Sequence, residues 1–345
     1  MRIDPDAIAE NWRFFHARAP SAICAAVVKA DGYGLGAETV VRALAGAGAR
    51  AFFTATLTEA LAVRKVLGVG PQIFVLNGPS RDDAALFAPA KLTPVLNSLQ
   101  QIHAWAGRGP AALHLDTGMN RLGIGPDEIG AAALALQDCS LTLVMSHLAC
   151  ASTLDDPMNA LQRKRFIAAA EHFPKAPLSL AASAGTLLGS DYHFDLIRPG
   201  VGLYGSGGLD KDNPPLMAAA TIEAPILQVR EVEAGETFGY GATFTATRKM
   251  RTATVALGYA DGFLRSFSGR GYGVLGGARR PILGRVSMDL IILDVAGCAE
   301  AEPGAMVEFL GTQARLDDVA ACGETLPYEL LTTLVGTVRR TGVIA

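Results

Sequence analysis

Lys29 stands where the apolar run Ile23 to Val28 ends and a Gly-rich stretch begins, with Gly32, Gly34 and Gly36 close behind it. An ammonium at the end of a buried strand is partly desolvated, which lowers its pKa and frees an amine for Schiff-base formation. The plainer alternative is a strand-end lysine whose head reaches water. Other chemistry-bearing residues recur in comparable places: Tyr33, His114, Asp116, Arg121, His147, Ser183, and Arg198 followed by Gly200, Val201 and Gly202. On one rim, a lysine, two histidines, two arginines and Gly-rich turns suit an anionic, carbonyl-bearing cofactor. The amine would take the carbonyl, and the N–H groups of the last two turns would take a phosphate.

These residues converge only if the segments before them are strands of a single sheet. Short, unbroken apolar runs bounded by turn residues mark strands buried on both faces. Eight such runs occur: 23–29, 51–57, 72–77, 93–97, 111–116, 141–147, 178–183 and 196–200. A first helix precedes them, with Ile8, Trp12 and Phe15 on one face. Further helix-period segments at 38–46, 58–67, 82–90, 127–137 and 159–173 lie between them. Strands alternating with helices imply parallel pairing, and eight units in about 200 residues imply a closed (β/α)8 barrel. A doubly wound open sheet is the alternative. From 221 on the text changes to short runs rich in Val, Thr, Ile and Phe, punctuated by glycines, which reads as a β-rich second domain. Its runs are 226–232, 252–257, 273–275, 281–286 and 290–295, with a last helix at 328–335. The expected division is a barrel over 1–218, whose first few residues join the β domain, and a β domain over 219–345.

Composition narrows the partners. With 18% charged residues and a net charge of -3, the chain has no basic excess with which to neutralise a nucleic-acid backbone. The first residues show neither a charged segment leading into an apolar core nor twin arginines, and no apolar stretch is of membrane-spanning length. Five cysteines without a CxxC pair suit a reduced compartment. The expectation is a cytoplasmic enzyme acting on a small molecule.

Six motifs in order carry a resemblance. They are VVKADGYGLG (27–36), DTGMNRLG (116–123), RPGVGLYG (198–205), GYGATF (239–244), GYADG (258–262) and GRVSMD (284–289). The chain resembles the alanine racemase family along most of its length. The resemblance implies pyridoxal 5′-phosphate as cofactor, L- and D-alanine as substrates, D-alanine supply for the cell wall, and a homodimer with shared active sites. Lys29 falls on the family's Schiff-base lysine, and Tyr240 on the tyrosine that faces it from the other subunit. Removing a proton from one face of a carbon and returning one to the other calls for two bases, here Lys29 and Tyr240. His147 and Arg198 match the network that assists the tyrosine. Arg198 also matches the residue facing the pyridine nitrogen. For the phosphate the resemblance points to Tyr33, Ser183, Gly200, Val201 and Tyr328. For the substrate it points to Arg121 and Met288, supported by Asp289 and Tyr259.

The sequence departs from that pattern at three places. Where many members carry a carbamylated lysine that holds the arginine, this chain has His114, so Arg121 must be oriented by an anion, water or His114 itself. The family's frequent Asn-Ser pair is Ala182-Ser183, and its common cysteine before Met-Asp is Ser287. Taken singly, each residue also has a structural use. The histidines could be core residues, Tyr240 and Tyr328 packing residues, the arginines surface ion pairs, and Asp116 and Asp289 turn formers. Their joint occurrence at successive strand ends favours chemistry. A racemase of another small amino acid such as serine, a decarboxylase of the same fold, and a non-catalytic cofactor-binding protein are the alternatives. Ser287 speaks against the decarboxylase, and the β domain with Tyr240 against the non-catalytic protein.

Overall fold

Residues buried on both sides of a sheet leave no room for polar alternation, and the eight apolar runs accordingly become eight strands. The computed structural model describes residues 1–335 and separates into two compact units. The first unit comprises Pro5–Gly32 and Gly36–Leu216. Its strands are Ile23–Cys24 continued by Ala26–Val27, then Ala51–Thr54, Gln72–Val75, Thr93–Leu96, Ala111–His114, Leu141–Met145, Leu178–Ser179 and Leu196–Ile197. All pairings are parallel. The eighth strand returns to the first, with Leu196 opposite Ile23 and Ile197 opposite Cys24. It meets the seventh through a bridge between Ala182 and Arg198. Backbone bonds from Ala25 to Ile197 (2.9 Å), Val27 to Pro199 (3.0 Å) and Arg198 to Ala181 (2.8 Å) complete the closure. The barrel expected from the alternation of strands and helices is present.

Helices follow the strands where local chemistry starts them. Thr56 and Glu59 form a reciprocal capping box on Leu57–Leu67, Ser98 caps Leu99–Trp105, and Asp156 caps Pro157–Ala170. The opening helix Pro5–Arg18 buries Ile8, Trp12 and Phe15, and the Trp12 indole donates to the Cys24 carbonyl at 3.2 Å. One expected helix is absent. Of 82–90 only a 3₁₀ turn, Ala84–Leu86, forms. Ser80 and Asp83 exchange side-chain and backbone hydrogen bonds there, a local turn that competes with helix, and Pro89 disfavours helical geometry in the residue before it.

The second unit contains Met1–Asp4, Tyr33–Leu35 and the described residues from Met217 on. Its antiparallel sheet runs in the order Ala278–Pro281, Tyr272–Leu275, Met306–Leu310, Ala220–Val232, Met250–Val255, Ile291–Asp294, with Arg2–Ile3 paired to Ala220 and Thr221. The 13-residue strand Ala220–Val232 joins the two halves. Its start pairs with Met306–Leu310 and, past an irregularity between Ile226 and Gln228, its end pairs with Met250–Val255. Two expectations are corrected here. The run 281–286 is not a strand, because Gly284 (φ +69°) turns the chain and only Ile282 bridges, to Leu293. The strand Met306–Leu310 was not anticipated, since Glu308 interrupts its apolar pattern. Phe263, Phe267 and Phe309 fill the core, with ring centroids 4.4 and 5.4 Å apart. The last helical segment is Pro327–Leu330, continued by a π-turn over Leu331–Val335. No helix among the described residues is long and apolar enough to cross a membrane.

In the barrel unit, Gly202 lies against the fully buried Phe15 ring and 3.0 Å from the Ser183 hydroxyl, measured from where a Cβ would sit. Gly202→Ala is therefore expected to destabilise the fold by about 1–3 kcal/mol, as overpacking does. Denaturant unfolding checks this, and a variant as stable as the parent would show that the Phe15 ring has room to move.

Candidate active site

Pairing of the first barrel strand persists to Val28, whose N–H donates to the Phe53 carbonyl at 2.8 Å, and Lys29 comes next. The chain then makes a left-handed turn. Ala30, Asp31, Gly32 and Tyr33 have φ of 53°, 53°, 64° and 56°. For residues with a Cβ this costs roughly 1–2 kcal/mol each, so the turn must be held. The Gly32 N–H reaches back to the Val28 carbonyl at 3.0 Å, and the Asp31 carboxylate accepts from the Ala37 N–H at 2.7 Å. Glu59, already part of a helix cap, accepts from the Ala30 N–H at 3.0 Å with one oxygen and from Ala55 at 2.8 Å with the other. Lys29 is thus presented from a clamped backbone. Burial lowers its pKa, the Arg121 charge lowers it further, and Glu59 opposes them.

Arg198 lies almost wholly buried at the end of the eighth strand. It donates to the Ser179 hydroxyl, to the carbonyls of Ser146 (2.6 Å) and Leu180 (3.3 Å), and to Nδ1 of His147 at 3.4 Å. All these partners are neutral. Desolvation brings its pKa down to about 9, which still leaves it charged at neutral pH. Because guanidinium only donates, His147 Nδ1 is the acceptor and the ring's proton sits on Nε2. Burial first, and then the charges of Arg198 and Arg121, hold His147 well below its ordinary pKa. Gln162, buried in the helix Pro157–Ala170, fixes the backbone here by donating to the His147 carbonyl (3.0 Å) and accepting from the Ala149 N–H (2.8 Å).

Ser183 begins the short helix Ser183–Leu187. Its hydroxyl oxygen accepts from the Gly200 N–H at 2.9 Å and the Gly202 N–H at 3.0 Å. With both lone pairs occupied, its own O–H points elsewhere as a donor. Val201 opens a 3₁₀ turn, whose first N–H groups have no partner within the turn. His114 is buried and neutral, its pKa brought to about 4 by desolvation and by Arg198, with Asp116 opposing and Arg121 adding to the depression. Asp116 accepts from the N–H groups of Gly118, Met119 and Asn120 at 2.8, 3.0 and 3.2 Å, shaping the loop that carries the exposed Arg121.

The second unit holds the remaining candidates. Tyr33 and Tyr328 lie with ring centroids 6.3 Å apart, and burial raises both phenol pKa values, so each keeps its O–H. Tyr240 is 73% exposed on a 3₁₀ turn bracketed by Gly239 and Gly241 at positive φ. The Tyr259 and Ala260 N–H groups donate to the Ser287 and Met288 carbonyls at 3.0 and 2.9 Å, which joins the turn of Tyr259 to that of Met288 and Asp289.

Within the barrel unit the structure therefore gathers Lys29, His114, Arg121, His147 and Arg198 into one field of charge, with the Ser183 hydroxyl and the Val201 N–H as donors and the Gly200 N–H spent on Ser183. Sequence reading missed Glu59, Asn97, Gln101, Ser146, Ser179 and Gln162. Only Glu59 had a visible signal, the capping-box spacing from Thr56.

The family model for the alanine racemase N-terminal domain matches residues 3–207, and the model for the alanine racemase C-terminal domain matches residues 219–342. The chain belongs to the alanine racemase family. A relative from Rhodospirillum rubrum named alanine racemase is 45% identical, covering 97% of this chain and 93% of its own. One from Agrobacterium fabrum named as a catabolic alanine racemase is 42% identical, covering 99% and 91%. The crystal structure of alanine racemase from Bartonella henselae with covalently bound pyridoxal phosphate is similar at a TM-score of 0.91 and 36% identity, over 96% of each chain. The barrel and β unit described above are the fold of this family.

The two depressed histidines set a pH dependence. Unfolded histidine takes a proton near its ordinary 6.5, whereas folded His114 does so only near 4. The contribution of His114 to stability is complete above pH 6.5 and is lost as pH falls toward 4, and that of His147 is lost in the same direction. The melting temperature should drop across that interval, and His114→Gln should flatten the drop. An unchanged slope in the variant would assign the loss to other groups.

Proposed function

We propose that this chain interconverts L- and D-alanine, using pyridoxal 5′-phosphate held through Lys29, as a homodimer in the cytoplasm, and that the D-alanine serves cell-wall precursors. The observation that carries the reading is Lys29 itself: an amine whose proton affinity is lowered by burial, fixed at a strand end by a clamped left-handed turn.

The residues present fit that cofactor. In the barrel unit Ser183 offers an O–H with its lone pairs already engaged and the turn that its oxygen holds through Gly200 and Gly202 offers the Val201 N–H, donors suited to a phosphate dianion. In the second unit Tyr33 and Tyr328 keep their phenolic protons and are donors of the same kind. The bound cofactor supplies an electron sink that acidifies the substrate's α-proton. Arg198 holds its protons and so donates hydrogen bonds without surrendering a proton to its acceptor. Arg121 offers a fork that matches the substrate carboxylate, with Met288, Asp289 and Tyr259 supporting it.

Proton movement is assigned to two residues. The Lys29 amine takes the proton from one face and returns it there in the reverse direction. Tyr240 of a second copy does the same on the other face. A phenol needs help to act as a base near neutral pH. Neutral His147, with its proton on Nε2, can donate to the phenolate and is itself held by Arg198. The exposure of Tyr240 at 73% and Met288 at 53% in the single chain supports their use by a second copy.

Incubation with L-alanine in deuterated water should give loss of optical rotation together with deuterium at the α-carbon. A stable L-alanine signal with cofactor bound would overturn the racemase reading. Lys29→Ala should abolish the visible absorbance of the lysine-bound cofactor, and persistence of the colour would refute its assignment. Tyr240→Phe should leave the colour intact while slowing α-proton removal from one enantiomer by at least about a hundredfold, the scale of a lost general base. Wild-type exchange from both enantiomers would remove Tyr240 from the mechanism.

A further inference from the structure

The turn after the eighth strand and the strand that carries Lys29 hold each other at one residue, Val27, just before the lysine. The Val27 N–H donates to the Pro199 carbonyl at 3.0 Å, where the chain enters the turn. Its carbonyl accepts at 3.2 Å from the hydroxyl of Tyr204, the last residue of the 3₁₀ turn Val201–Tyr204. The turn thus grips one residue of the first strand from both of its ends. Tyr204 is 1% exposed, and 177 positions separate it from Val27. A ring buried to that degree is held in one orientation by close packing, so its O–H is aimed as firmly as the ring is packed.

The opening helix Pro5–Arg18 makes a second tie between the same two segments. The Asn11 amide donates to the Leu203 carbonyl at 3.2 Å, and its neighbour Trp12 donates to the Cys24 carbonyl at 3.2 Å. One residue reaches the turn and the next reaches the lysine strand. Phe15 of the same helix lies against Gly202, and Ser183 holds the internal shape of the turn through Gly200 and Gly202.

Tyr204, Asn11 and Trp12 are not assigned to the cofactor or the substrate. What they fix is distance. Lys29 takes the carbonyl end of the cofactor, and Ser183 with the Val201 N–H takes its phosphate end, so one rigid molecule is bound at two anchors. Binding at the second anchor is then intramolecular, and its advantage survives only while the anchors keep the right separation. An aromatic ring cannot stretch to correct an error in that separation, which is therefore taken from its affinity. We propose that Tyr204 and Asn11 are positioning residues that set the register between the phosphate turn and Lys29, so that both anchors take one cofactor without strain. The inference rests on the cofactor reading given under the proposed function.

The test reconstitutes the holoenzyme from the full chain and reads the visible absorbance of the lysine-bound cofactor. Tyr204→Phe keeps the buried ring and removes only the donor. It should weaken pyridoxal 5′-phosphate by about five- to tenfold, the scale of one hydrogen bond. Pyridoxal together with inorganic phosphate presents the same two ends without the bond that joins them. Those separate pieces should bind the variant within about twofold of wild type, since only the linked advantage depends on register. Asn11→Ala, which frees the turn from the opening helix and leaves Tyr204 in place, should show the same contrast. Unchanged affinity for the intact cofactor in either variant overturns the proposal. Equal losses for the whole molecule and for its pieces overturn it too, because they mark a damaged anchor rather than a lost register. Failure of the cofactor reading looks different, since the wild type would then form no visible absorbance with pyridoxal 5′-phosphate.

Discussion

The rest of this site depends on a guanidinium buried, among the described residues, without a counter-charge. Taking a cation out of water is expensive, and only charge-assisted hydrogen bonds and a partly lowered pKa offset the cost. Arg198 obtains those bonds from the sixth and seventh strands while standing on the eighth, so its charge ties three barrel strands at the rim. Two histidines nearby answer to that charge, after the larger effect of their own burial. His147 and His114 are kept neutral, and His147 is turned so that its remaining proton faces away from the arginine. A pair of carboxylates could have stabilised the arginine more, at the cost of charged histidines and a different proton chemistry.

Around Lys29 the constraint is backbone conformation. A left-handed turn with three non-glycine residues is unfavourable by itself, and it persists because Glu59 accepts from the Ala30 N–H within it and Asp31 ties it to the Ala37 N–H at the start of the next helix. Glu59 works at two levels with one carboxylate. It starts the helix Leu57–Leu67, and it holds the peptide after Lys29 while its charge partly restores the proton affinity that burial removes. The turn after the eighth strand follows similar economy, since Ser183 binds the two glycine N–H groups that shape it and keeps its own proton for another acceptor.

Much of the architecture was legible residue by residue. Parallel strands buried on both faces carry unbroken apolar runs, so all eight could be read, and the change to Gly-punctuated β text near 221 marked the second fold. The segment 82–90 misled because its composition suits a helix while the Ser80–Asp83 turn and Pro89 do not. Met306–Leu310 was hidden by Glu308, whose carboxylate turns back to accept the N–H groups of Gln313 and Ala314. A charge satisfied by its own loop looks, in sequence, like an interruption of the strand.

What the sequence determined by itself is the kind of residue at each strand end: an amine after the first strand, imidazoles after the fifth and sixth, a guanidinium and glycines after the eighth. Those follow from local pattern and from the rule that parallel strands deliver their ends to one rim. What only the tertiary structure decided is the state of each group. Arg198 and His147 are 51 residues apart, and His114 and Asn97 are 17 apart, yet these pairs fix which nitrogen of each ring holds the proton. Tautomer and pKa are set by distance, burial and neighbouring charge, which barrel closure creates between segments that share no sequence spacing.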